Sequence, residues 1–147
     1  MTIQKYVVGF LFNKTMSNVA LIEKIKPKWQ KGFLNGIGGK IENNESALEA
    51  MIREFYEETG HKFENWQYYC RMKGKNYDGS DFEVECFYGI GDPFACKTME
   101  KEQIGYCLVE SILSYKEKTI GNVPWLISLA IDFNKGVYPP KEVTVIY

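Results

Sequence analysis

Residues 39–60 constrain this chain more than any other stretch. They read Gly39-Lys40-Ile41-Glu42-Asn43-Asn44-Glu45-Ser46-Ala47-Leu48-Glu49-Ala50-Met51-Ile52-Arg53-Glu54-Phe55-Tyr56-Glu57-Glu58-Thr59-Gly60. A glycine-rich run enters a helix that closes in a dense set of acids. Carboxylates gathered on one face repel one another, and a hard cation relieves that repulsion. The segment therefore predicts a divalent-metal site carried by a loop and a helix.

The spacing predicts a helix over 46–59. Leu48, Met51, Ile52 and Phe55 fall at i, i+3, i+4 and i+7, forming one apolar stripe. Ser46 and Glu49 have capping-box spacing, and Gly60 stands where a left-handed residue ends a helix. Glu54, Glu57 and Glu58 then share a second face. Arg53 precedes Glu57 by four residues and relieves part of the repulsion. All-oxygen donors suit Mg²⁺ or Mn²⁺, which carboxylates hold together with substrate phosphates. A glutamate-rich helix taken alone also fits a solvated acidic face. The run Asn35-Gly36-Ile37-Gly38-Gly39-Lys40 shifts the balance, because its glycines let backbone approach a ligand and expose carbonyls such as that of Gly38.

Glycine, five residues, glutamate, seven residues, then Arg-Glu-apolar-x-Glu-Glu-x-Gly is the pattern of the Nudix box. The chain resembles it at Gly39, Glu45, Arg53, Glu54, Phe55, Glu57, Glu58 and Gly60. It departs at His61, where the family usually carries an aliphatic residue, and Ile41 or Phe63 is expected to supply the missing packing. Three flanking features are similar to MutT-like members, which destroy oxidised purine nucleotides such as 8-oxo-dGTP. They are the stretch from Asn35 to Lys40, the run Asn122-Val123-Pro124-Trp125, and Lys101-Glu102-Gln103.

The resemblance implies an α/β/α sandwich around a mixed sheet and the following roles. Gly38 (through its carbonyl), Glu54, Glu57 and Glu58 hold Mg²⁺, with Mn²⁺ as a substitute. Glu102, or failing it Glu100, adds a carboxylate from an opposite loop. Arg53 orients Glu54, while Gly39, Glu45 and Gly60 shape the box. Glu54 is the favoured base or water-positioning group, with Glu57 and Glu102 as rivals. Asn35, Lys40 and Asn122 contact substrate. The implied reaction takes a nucleoside diphosphate-linked substrate, foremost a purine nucleoside triphosphate, to the monophosphate and pyrophosphate. Tyr77 keeps dinucleoside polyphosphates open as substrates, and some Nudix domains serve as non-catalytic binding or regulatory modules. These modules commonly lose box glutamates, which this chain keeps. No signature for ADP-ribose, coenzyme A or NADH is visible.

The nucleobase reading competes with plainer ones. An amide side chain offers a donor and an acceptor to a purine edge. Asn122 also fits a helix N-cap, and Asn35 a turn residue before glycine. Trp29, Phe33, Tyr77, Phe82 and Trp125 are candidate stacking surfaces, each of which also suits core packing.

The rest of the sequence predicts a mixed α/β or α+β domain spanning 1–147. Strands are expected over 6–12, 19–25, 65–73 and 82–90, with a short one at 106–109 and an edge strand at 143–147. Residues 26–34 and 36–41 read as loops, and 123–133 as a helix with Pro124 in its first turn. Phe82, Val84 and Cys86 alternate with Glu83 and Glu85.

A net charge of −1 argues against non-specific nucleic-acid or membrane partners. No apolar run approaches the ~20 residues that span a bilayer, and the start of the chain shows no secretion signal. Cys70, Cys86, Cys96 and Cys107 lack zinc spacing and sit among apolar residues, as buried reduced thiols do. The expectation is a cytoplasmic monomer or homodimer with a small nucleotide substrate.

Overall fold

The computed structural model describes residues 3–146; Met1, Thr2 and Tyr147, which belong to the expected leader-free start and the last strand, lie outside the described residues. The elements are β1 (Gln4–Phe12), β2 (Asn18–Glu23), β3 (Leu34–Asn35), β4 (Ile37–Lys40), α1 (Ala47–Thr59), β5 (Gln67–Lys75), β6 (Asp81–Ile90), β7 (Gln103–Leu108), α2 (Val109–Leu113), α3 (Val123–Asn134) and β8 (Glu142–Ile146). The strands form one mixed sheet in the order β3-β2-β1-β6-β5-β8, with β4 paired to β1 and β7 to β2. The β1–β6 and β5–β8 pairs are parallel and the others antiparallel.

β1 explains why its sequence is apolar without interruption. Val7 and Leu11 pack under α1 with Met51 and Phe55. Val8, Phe10 and Phe12 face the opposite side with Val123, Leu126 and Ile127 of α3. A central strand covered on both faces loses its polar alternation. Helices on both sides of a mixed sheet give the α/β/α arrangement that the Nudix resemblance implies.

Several local expectations change. Residues 37–40 are a strand rather than a loop, because Gly39 and Gly38 pair with Val7 and Val8. Leu48 is 42% exposed, and α1 buries Ala50, Met51, Phe55 and Thr59 instead. β7 starts three residues before the expected 106 and runs straight into α2, a helix that periodicity did not reveal. Glu85 is buried although it alternates with apolar neighbours; Arg71 Nε donates to its Oε1 at 2.8 Å. His61 presents its ring to Phe55 at 6.2 Å, while Phe63 packs on Trp66 at 4.8 Å.

Candidate active site

The acidic helix is fixed at both ends by local chemistry. Ser46 Oγ accepts from the Glu49 amide at 3.0 Å, and Glu49 Oε1 accepts from the Ser46 amide at 3.0 Å, a complete capping box. Gly60 closes the helix at φ 70°, and its amide donates to Tyr56 O at 2.9 Å. Between these ends Ala50, Met51 and Phe55 pack on the sheet with Val7, Leu11 and Ile37, and Glu54 comes to lie against Gly39. A Cβ on Gly39 would stand 2.6 Å from both carboxylate oxygens of Glu54. A Cβ on Gly38 would run into the Val7 carbonyl. Backbone contact thus requires glycine at 38, while a side chain at 39 would displace the Glu54 carboxylate.

Arg53 organises the acids. Its Nε and Nη2 donate to Glu45 at 2.7 and 2.9 Å, and its Nη1 donates to Glu54 at 2.9 Å and to Glu57 at 3.3 Å. Burial pushes the Glu54 carboxyl up; Arg53 pulls against that shift, and Glu57 and Glu100 add to it. Glu58 receives no arginine. Burial first, then the charges of Glu100, Glu102 and Glu54, pushes it up to about 7. Among the described residues, no three acidic, histidine or cysteine side chains converge closely enough to hold an ion as they stand. The donor chemistry nevertheless fits a hard divalent cation. Glu54 and Glu58 are partly desolvated carboxylates pushed up by burial and by neighbouring acids, and a cation would remove that conflict.

Glu102 is differently engaged. Its Oε1 accepts from Lys24 Nζ at 3.0 Å, and its Oε2 accepts from the amides of Ile25 at 2.6 Å and Lys26 at 3.4 Å. Burial alone would raise it, but these donors hold it below the usual carboxylate value.

A cleft of about 290 Å³ has Gly38 and Gly39 in its wall, and Glu54 approaches Gly39. Asn35 and Asn122 both line it. Asn35 Oδ1 accepts from the Gly36 amide at 2.8 Å. Asn122 precedes α3 but its side chain makes no cap. Its Nδ2 lies 3.6 Å from Met72 Sδ, and its Oδ1 is buried without a partner. Lys40 is placed elsewhere: its side chain is exposed and does not line the cleft, and its carbonyl accepts from Arg53 Nη2 at 3.0 Å. Of the aromatic candidates, Trp29 and Phe82 line the cleft. Tyr77 stands edge-on to Trp29, with ring centroids 6.5 Å apart. Phe33 lies under Lys118 Nζ at 4.5 Å, and Trp125 packs on the core. Lys24, Met72 and Asn76 also line the cleft, and no local pattern marked them, since the sheet and two separate loops bring them there.

Comparison with known proteins agrees with this geometry. The model of the NUDIX domain matches residues 2–113, most of the chain. No curated protein matches the chain in sequence. Among solved structures, the NUDIX domain of Shewanella oneidensis NrtR, complexed with ADP ribose, superposes with a TM-score of 0.78 at 16% identity, covering 91% of this chain and 90% of its own. The MutT protein of Methanosarcina mazei superposes at 0.70 with 21% identity, covering 90% and 95%. The MutT protein of Bacillus halodurans superposes at 0.69 with 20% identity, covering 99% and 90%. These likenesses establish a shared fold. With the family model spanning most of its length and the box residues assembled around Arg53, the chain belongs to the Nudix hydrolase family.

Proposed function

We propose that this protein hydrolyses a nucleoside diphosphate-linked substrate, foremost a purine nucleoside triphosphate, oxidised forms such as 8-oxo-dGTP included, to the monophosphate and pyrophosphate. The observation that carries this reading is the shared wall at Gly38–Gly39. One side lines a cleft containing two amide side chains, and Glu54 packs against Gly39. A base held in the cleft thus has its phosphates led toward the acids.

The residues have distinct tasks in this reading. The amides of Asn35 and Asn122 meet the base edge, and the orphaned Asn122 Oδ1 is an acceptor awaiting a donor. Glu54, Glu57, Glu58 and the Gly38 carbonyl would hold Mg²⁺, or Mn²⁺ in its place. A cation bound there neutralises phosphate charge and acidifies a bound water. Arg53 keeps Glu54 oriented to accept a water proton at Oε. A cytoplasmic monomer or homodimer belongs to the same reading.

The likeness to NrtR supports a second reading, a module that binds ADP ribose without turning it over. Incubation with GTP, dGTP, 8-oxo-dGTP, ADP-ribose and a dinucleoside tetraphosphate, each with Mg²⁺, separates these readings. Pyrophosphate and a nucleoside monophosphate from a triphosphate are expected. Tight ADP-ribose binding with no product from any substrate would establish the module instead.

A further inference from the structure

Glu102 stands immediately before β7, and the ladder explains what it meets. The antiparallel register pairs Glu23 with Gln103, so the next residue back along β7 faces the next residue out of β2, Lys24. There the chain leaves the sheet and returns at Phe33: Lys24 N donates to Phe33 O at 2.9 Å, and Gly32 N donates to Lys24 O at 2.8 Å. Between these two points the loop sends Pro27, Trp29 and Gln30 to the cleft wall. Glu102 grips the outgoing arm of that loop through Lys24 Nζ and the amides of Ile25 and Lys26. The Glu102 side chain is only 15% exposed, so the carboxylate has exchanged much of its own solvation for these three donors. Three donors occupy most of the roughly four lone-pair sites of a carboxylate.

We propose that Glu102 is a positioning residue, not a metal ligand: it latches the loop over residues 24–32 and so sets the wall that Pro27, Trp29 and Gln30 present to the substrate. The latch is made by the chain's own residues. Only its effect on substrate rests on the nucleotide reading of the cleft. A charged acceptor is needed, because a charge-assisted pair and two amides converge on one group. Losing it frees the loop arm while the sheet below stays paired.

The test uses the whole protein and its Glu102→Ala, Glu102→Gln and Lys24→Met variants. Three quantities are measured: trypsin cleavage after Lys28 and Lys31, Mn²⁺ affinity by electron paramagnetic resonance without nucleotide, and KM and kcat for dGTP. In Glu102→Ala, cleavage within the loop is expected to rise about tenfold, and KM to rise about tenfold with a smaller fall in kcat. Mn²⁺ affinity is expected to stay within about twofold, because the ligand set is intact. Glu102→Gln, which keeps an acceptor for the amides, and Lys24→Met are expected to show smaller shifts of the same kind. They decide the matter if the alanine variant fails to fold. A Mn²⁺ affinity that falls tenfold or more while loop cleavage stays at the wild-type rate would overturn the latch and restore Glu102 as a ligand. A wild-type protein that hydrolyses no nucleotide would sink the substrate reading alone, since cleavage and Mn²⁺ binding still judge the latch.

Discussion

Arg53 holds Glu45 with two nitrogens, Nε at 2.7 Å and Nη2 at 2.9 Å, and thereby ties the loop before α1 to the middle of that helix. The pair is partly buried, at 24% and 14% side-chain exposure. The same guanidinium reaches Glu54, so one side chain serves both the fold and the orientation of an acid.

Arg53→Lys is expected to cost about 1–2 kcal/mol of stability, because an ammonium cannot reproduce the fork. Activity should fall further than stability accounts for, since Glu54 loses its fixed rotamer. A lowered urea midpoint at unchanged slope, with kcat measured well below the unfolding transition, checks both effects.

The Glu45 contact also makes a pH prediction. The Arg53 hydrogen bond holds the Glu45 carboxyl below its usual 4.5. A depressed folded value means that the unfolded chain takes up the proton first. The contribution is therefore present above pH about 4.5 and lost as pH falls through the lower folded value. Melting temperatures from pH 6 to 3 should fall more steeply in wild type than in Glu45→Gln. Parallel curves would show that the pair adds nothing to acid stability.

Gly39→Ala is expected to fold and yet lose activity on the order of a hundredfold. The added methyl would meet the Glu54 carboxylate at 2.6 Å and displace it, and misplacing a reacting group by about 1 Å costs that much. Circular dichroism should match wild type while kcat drops. A fully active alanine variant would remove Glu54 from the reaction.

Glu57→Gln, at unchanged fold, is expected to reduce Mg²⁺-dependent turnover on the order of a hundredfold or more, because it deletes a charged donor from the metal-holding set. Mg²⁺ should raise the melting temperature of wild type more than that of the variant. Near-normal turnover in the variant would clear Glu57 of any part in the chemistry.

Asn122→Leu separates cap from base contact. The side chain makes no cap bond, and its Oδ1 is already buried and unpartnered. Replacing it with an apolar group should leave ligand-free stability unchanged or slightly higher, by up to about 1 kcal/mol. Preference among nucleotides should shift at the same time. A loss of stability with unchanged preference would mark the residue as structural.

How much of this was legible depends on range along the chain. Helix α1 and its acids were visible because their causes are local: a capping box from Ser46 to Glu49, a left-handed glycine and charges at i, i+3 and i+4. The strand identity of Gly38 and Gly39 was hidden, because glycine has weak β preference and the pairing that makes it a strand lies with Val7 and Val8, about thirty residues away. Leu48 fitted the helical stripe, yet the sheet beneath α1 does not extend to cover it.

The sequence by itself determined the family, the capped acidic helix and the residue types available for metal and base. Short-range hydrogen bonding and charge spacing suffice for those. Only the tertiary structure decided that Asn122 points at Met72 instead of capping α3, that Lys40 offers a carbonyl rather than its amine, and that Glu102 closes on Lys24. Those outcomes depend on which strands pair and in what register. Register is set by burial summed over the whole sheet, which no local pattern encodes.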